Sequence, residues 1–320
     1  MKRTSYPRAV SRSLKVAAVI SISMAGLLFA AMQHAKTLRG NRLLHQLPST
    51  ARAILRIDAA SLEDTAAAKT LIAAFVADEQ LSEIEAICAL DPMKALTEVI
   101  VWVRGPDDQP LQSIGVMLQG RAASAATLAA CHRALVEGRG GSIVRIDGPA
   151  GPMQANLDQR SAIAVIDDRT IIAGSVTTVK EAIAVRRGTA PALVERGRIA
   201  ERWPLLSRGS SISAILEPPD HWMSALERVA KRSDGPSALE GAQTIGLFVE
   251  SGSAGTVTLS IDVGSVELAA QDAERIRDWI ASPPENVEPP WTNVLHSARV
   301  AARERTIEVT VDVSSLSTAR

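Results

Sequence analysis

The chain has 320 residues, with 35 Lys and Arg against 35 Asp and Glu, 46% hydrophobic and only 3% aromatic content. This balance excludes a disordered chain, and the scarcity of rings argues against surfaces that stack on sugars or nucleic-acid bases. Eight of the 35 basic residues lie in residues 1–42, where no acid occurs, so residues 43–320 hold 27 basic against 35 acidic residues, a net −8 that repels nucleic-acid phosphates.

Residues 1–15, with Lys2, Arg3, Arg8, Arg12 and Lys15, read as a basic cytoplasmic tail. Val16 to Ala35 then runs without a charge. A helix rises about 1.5 Å per residue, so about 20 mostly apolar residues cross a bilayer, and 16–35 reads as a transmembrane anchor. Basic residues favour the cytoplasmic side. The five ahead of the anchor outnumber Lys36, Arg39 and Arg42 behind it. The expectation is a single-pass protein of the inner, cytoplasmic membrane, N-terminus inside and bulk extracytoplasmic. A cleaved signal peptide is the alternative, but it needs small residues at −3 and −1. Cleavage after Ala30, Ala31 or Ala35 puts Leu28, Phe29 or Gln33 at −3.

Residues 36–50 read as a stalk ending in Pro48-Ser49-Thr50. A first module spans 51–187. ARAILRID (51–58) is a strand, Ala59 to Ala89 a helix with Ser61 as N-cap, and Asp91-Pro92 its stop. EVIVWVRG (98–105) and LQSIGVMLQG (111–120) form a hairpin around GPDDQP. Leu128, Cys131 and Leu135 recur at helical spacing within 122–136. Short strands follow at 142–148, 153–158, 161–167 and 170–175, then a helix at 176–186. Residues 188–209 read as a linker.

The grammar restarts in a second module, 210–320. Strands at 210–219, 242–251 and 255–264 and a helix at 266–280 repeat the order of the first, including a shared Leu-Ala-Ala at 128–130 and 268–270. A hairpin of 294–303 and 306–314 closes it. The fold class expected is α+β: two similar modules after the anchor, each an antiparallel sheet with helices packed on one face. The segment IAVIDDRTIIAGSVTTVKEAI (163–183) carries a resemblance to uncharacterised bacterial membrane-anchored envelope proteins with duplicated α/β modules. That resemblance implies a place in the envelope and no activity.

Chemical motifs are sparse. Asp167-Asp168-Arg169-Thr170 offers paired carboxylates, yet Asp residues also suit a hairpin turn and no third ligand stands nearby in sequence. Cys131 and His132 are consecutive on a helix, so they point about 100° apart and form no dyad. Gly138, Gly140 and Gly141 follow a helix and precede a strand, the reverse of a phosphate loop, and read as a helix C-cap. Cys88 and Cys131 lack CxxC spacing. They are either a disulfide of an oxidising compartment or two buried small hydrophobes. Trp203, Trp222 and Trp291 lie near proline-rich stretches and form a possible interaction surface, since tryptophan is enriched at interface hot spots.

No catalytic, cofactor-binding or metal-binding residue is assigned. The leading expectation is a non-enzymatic, membrane-anchored periplasmic protein that binds a protein partner or itself and does not bind nucleic acid. The rivals are an exported hydrolase whose site is assembled from sequence-distant residues, and a small-ligand or lipid sensor.

Overall fold

The computed structural model describes residues 45–59, 61, 78–104, 114–147, 152–157, 161–193, 198–206, 210–218, 241–250, 255–282 and 296–312. The segments read as a tail (1–15), an anchor (16–35) and most of the stalk, together with Trp222 and Trp291, lie outside them. No helix among the described residues is long and apolar enough to cross a membrane.

Valine- and isoleucine-rich runs become the central strands, as β-branched side chains pack well on a pleated surface. These are β1 (Ala51–Asp58), β2 (Leu96–Arg104), β3 (Ile114–Gly120), β8 (Ser210–Leu216), β9 (Thr244–Glu250) and β10 (Thr256–Asp262). The outer strands are β4 (Ile143–Ile146), β5 (Met153–Asn156), β6 (Ala162–Val165), β7 (Thr170–Gly174), β11 (Arg299–Arg303) and β12 (Thr306–Asp312). Together they form one twelve-stranded sheet in the order β11-β12-β10-β9-β8-β1-β2-β3-β7-β6-β5-β4. Every pairing is antiparallel. Both parts of the chain share it, joined where β1 meets β8 with Ile54 opposite Ile215 and Ile57 opposite Ile212.

Six helices are described: α1 (Asp78–Cys88), α2 (Pro92–Ala95), α3 (Ala125–Gly138), α4 (Val176–Arg186), α5 (Arg198–Leu206) and α6 (Val266–Ala281). Ser124, Ser175 and Ser265 cap α3, α4 and α6 by accepting from the backbone N–H of Thr127, Thr178 and Leu268.

Successive strand residues face opposite sides, and the core divides accordingly. On the first face, Ile54, Ile100, Trp102, Met117, Ile172 and Ile215 pack with Val179, Ala182 and Ile183 of α4 and Ile199 and Trp203 of α5. On the second face, Ile163, Ile171 and Leu118 pack under Ala125, Leu128 and Ala129 of α3. Ile261, Ile307 and Val309 pack under Ala269, Ala273, Ile276 and Ile280 of α6. Each such side chain gains roughly 1.5–3 kcal/mol on burial.

Three details differ from the sequence expectation. Helices stand on both faces, α4 and α5 over the apolar side chains of the first and α3 and α6 over those of the second. The stretch read as a linker contains α5, packed on β8 and β9. The end of the stalk is docked: Leu47 is fully buried, Leu193 N donates to Leu47 O at 2.7 Å, and Thr50 Oγ1 donates to Glu181 Oε1 at 2.8 Å.

The shared Leu-Ala-Ala does not occupy equivalent places on its two helices. Leu128 is 8% exposed and Leu268 42%, because the two leucines stand at different distances from their serine caps. Ala269, not Leu268, takes the buried place of Leu128.

Candidate functional site

The strand period puts Arg56 and Asp58 on the first face with Ile54. Across the ladder, Asp58 stands opposite Glu98 on β2, Glu98 opposite Gln119 on β3, and Gln119 opposite Thr170 on β7. Ser213 of β8 faces Arg56. Ser211, two residues on, continues the same face beside Asp58. A polar row thus crosses five strands at one end of the sheet. Arg56 is 6% exposed, and Asp58 and Glu98 are 4% each.

Arg56 Nε donates to Glu98 Oε1 at 2.5 Å, and Arg56 Nη2 lies 3.5 Å from Asp58 Oδ2. One guanidinium therefore faces two carboxylates away from water. Burial pushes the Asp58 carboxyl up to about 7; Arg56 opposes the rise and the charge of Glu98 adds to it. Burial also raises Glu98, against the charge and hydrogen bond of Arg56. The free oxygens are notable: Glu98 Oε2, Gln119 Oε1 and Ser211 Oγ are buried without a hydrogen-bond partner. A buried acceptor left unmade costs about 1–3 kcal/mol, so a proton or donor reaching this row would be held firmly.

A second buried carboxylate, Asp262, ends β10. It pairs with Arg202 of α5, whose Nε donates at 2.9 Å, and with Arg305 Nε at 3.2 Å, while Oδ1 accepts from Gly264 N at 2.9 Å. It is a staple between α5 and the β11–β12 turn. Beyond it, the first face of β10 and β12 carries Thr258, Ser260, Glu308 and Thr310, all half-exposed, with Thr258 and Thr310 hydroxyls 3.3 Å apart.

The residues singled out from sequence fall as follows. Trp203 is 3% exposed and packed with Ile199 and Ile215 in the core. It therefore contributes no surface: the helix that carries it turns its ring onto the sheet. Cys88 and Cys131 are joined between α1 and α3, with Cα atoms 4.9 Å apart. The Asp167–Arg169 tip is a turn in which Asp167 Oδ1 accepts from Arg169 N at 3.0 Å. Burial raises Asp167, but hydrogen bonds from Arg169, Thr170 and Arg186 outweigh it and the net shift is downward. Gly140, at φ +76°, and Gly141 end α3, with their N–H groups on Glu137 O and Val136 O. Half-buried His132 has its basicity lowered by burial.

No three of the His, Cys, Asp and Glu side chains among the described residues are placed to hold a metal ion. The acid–arginine row escaped the sequence reading. Its one signal was adjacency: Ile54-Leu55 in β1 announces burial on both faces, which obliges Arg56 and Asp58 to be buried too. No family profile, no curated protein and no solved structure matches this chain.

Proposed function

We propose that this chain is a single-pass, membrane-anchored extracytoplasmic protein, built as two related halves, that acts by binding a protein partner or a second copy of itself. The observation that carries the reading is the partly exposed polar flank formed by Thr258, Ser260, Glu308 and Thr310, which leads to the outermost strand β11 with its exposed Arg299 and Arg303. The corresponding flank of the first half lies under α4. A flat, half-exposed sheet face of hydroxyls and charges suits protein contact, where rims are polar and hydrogen-bonded.

Kinship between the halves is supported by strand order. Outward from the β1–β8 seam it runs β1, β2, β3, β7, β6 on one side and β8, β9, β10, β12, β11 on the other. In each half a serine-capped helix follows the third strand on the second face. The extracytoplasmic location is supported by the uncharged segment 16–35 behind a basic tail and by the Cys88–Cys131 bond, since disulfides persist in oxidising compartments.

The test places a photocrosslinking residue at Thr310, or at Arg145 on the opposite sheet edge as control, in the full-length protein in its membrane. One discrete adduct from Thr310, absent from Arg145, is the expected result. Equal, diffuse labelling at both positions refutes the flank as a binding surface.

A further inference from the structure

We propose that a second copy of this chain pairs with β4, so that the sheet continues into the β4 strand of that copy about a two-fold axis at Val144. β4 ends the sheet order. Outward from the seam the halves match as far as β6 and β11, and β5 and β4 have no counterpart among the described residues. The surplus edge strand reads Ile-Val-Arg-Ile, half-buried except at Arg145. An apolar strand at a sheet edge is a template for further pairing. The opposite edge is guarded. β11 carries exposed Arg299 and Arg303, and pairing two copies of it about Ala301 would set these like charges against each other.

The backbone fixes the register. Leu157 N donates to Ser142 O at 2.9 Å, and Ile143 stands opposite Asn156. Hydrogen-bonded and non-hydrogen-bonded pairs alternate in an antiparallel ladder, so Ser142, Val144 and Ile146 direct their N–H and C=O groups to β5. Those of Ile143 and Arg145 point to the open edge. One symmetric antiparallel register uses all of them. It sets Ile143 opposite Arg145 of the second copy and Arg145 opposite its Ile143, with Val144 facing Val144 as the close, non-hydrogen-bonded pair at the axis. Shifted by two residues, the pairing sets Arg145 against its own copy or carries Arg145 past the end of the strand.

Charge and topology agree. Arg145 Nε donates to Asp147 Oδ1 at 2.9 Å, so no uncompensated charge enters the ladder. Ile146 of the second copy stands beyond Ser142, on the same side as Leu157, which is 66% exposed and gains an apolar neighbour there. The axis runs perpendicular to the sheet and keeps the first faces of both copies on one side. Leu47, and with it the end of the stalk, is buried on that face. Both stalks therefore leave on the same side, as two anchors in one membrane require. The self-pairing rests on the proposed function only in this respect. Anchoring also raises the effective concentration of a neighbouring copy, which favours so short a contact.

Single cysteines test this in the full-length protein in its native membrane, where Cys88 and Cys131 are already bonded to each other. Val144→Cys brings two thiols together across the axis with Cα atoms about 4.5 Å apart, inside the range that a disulfide needs. Mild oxidation should give a species of twice the chain mass. Ile143→Cys and Arg145→Cys should each fail to link alone and should link when co-expressed. Arg145→Pro, added to Val144→Cys, removes the outward N–H without touching the β5 ladder and should cut linking to the level of Ile143→Cys alone. Should the proline variant fail to fold, the three cysteine variants decide. No linked species from Val144→Cys, or equal linking from all three single variants, overturns the proposal. A photocrosslinking residue at Arg145 would trap the same self-pair, whereas the flank's adduct arises from Thr310 alone, so either can fail while the other stands.

Discussion

Trp102 is the largest fully buried side chain among the described residues, and the residues around it show how few alternatives its site allows. Its partner on β3 is Gly115, whose own partner on β7 is Gly174. A Cβ on Gly115 would sit 2.1 Å from Trp102 Cζ2 and 2.7 Å from Thr178 Cγ2. The glycine is the slot into which the indole lies. Gly115→Ala should therefore destabilise by at least about 1–3 kcal/mol, the usual range for overpacking a full core. Chemical denaturation reads this directly. Adding Trp102→Phe should recover part of the loss, because the smaller ring vacates the contested volume. A purely additive double variant would show that the clash is not with the indole. None of this was legible in sequence, where Gly115 reads only as a tolerated glycine in a strand. A contact between residues on neighbouring strands depends on register, and register is fixed by both faces of the sheet together.

At the scale of elements, the strands were legible and the linker helix was not. Runs such as VIVWV and TVTLSI declare themselves by β-branched content. Arg198–Leu206 carries Ile199, Trp203 and Leu206 at helical spacing, but it mixes charges with Pro204, a residue that opposes a helix interior, and the proline hid the face. What holds α5 is tertiary: Trp203 in the core and Arg202 on buried Asp262. Arg202→Ala leaves that carboxylate with the half-exposed Arg305 and the Gly264 N–H, and should cost about 3 kcal/mol, in line with breaking a buried pair. A denaturation midpoint unchanged within error would show that Asp262 finds water instead. The Cys88–Cys131 link ties α1 to α3 across a sequence separation of 43. Loop-closure entropy alone gives about 4 kcal/mol for a loop of that size. Cys88→Ser with Cys131→Ser, compared by denaturant melts with and without reductant, should show that loss once, in wild type under reductant, and no further reductant effect in the double variant.

For the whole molecule, the consequential feature is the seam. Two halves with the same outward strand order do not merely touch; β1 and β8 continue one ladder, and Ile57 and Ile212 beside it are 1% and 0% exposed. The sequence made the strands visible but not their closure into one sheet, since nothing in β1 or β8 states which edge it will join. A shared ladder with a shared core couples the halves, so they should unfold together. Amide hydrogen exchange under native conditions measures this. Protection of β2 in the first half and β9 in the second should fall in parallel as denaturant rises, with a common slope. Arg202→Ala, which acts on the second half, should then lower protection of β2 by the same free energy as that of β9. Loss confined to β9 would mean that the seam yields before either half does, and the chain would be two domains sharing an edge.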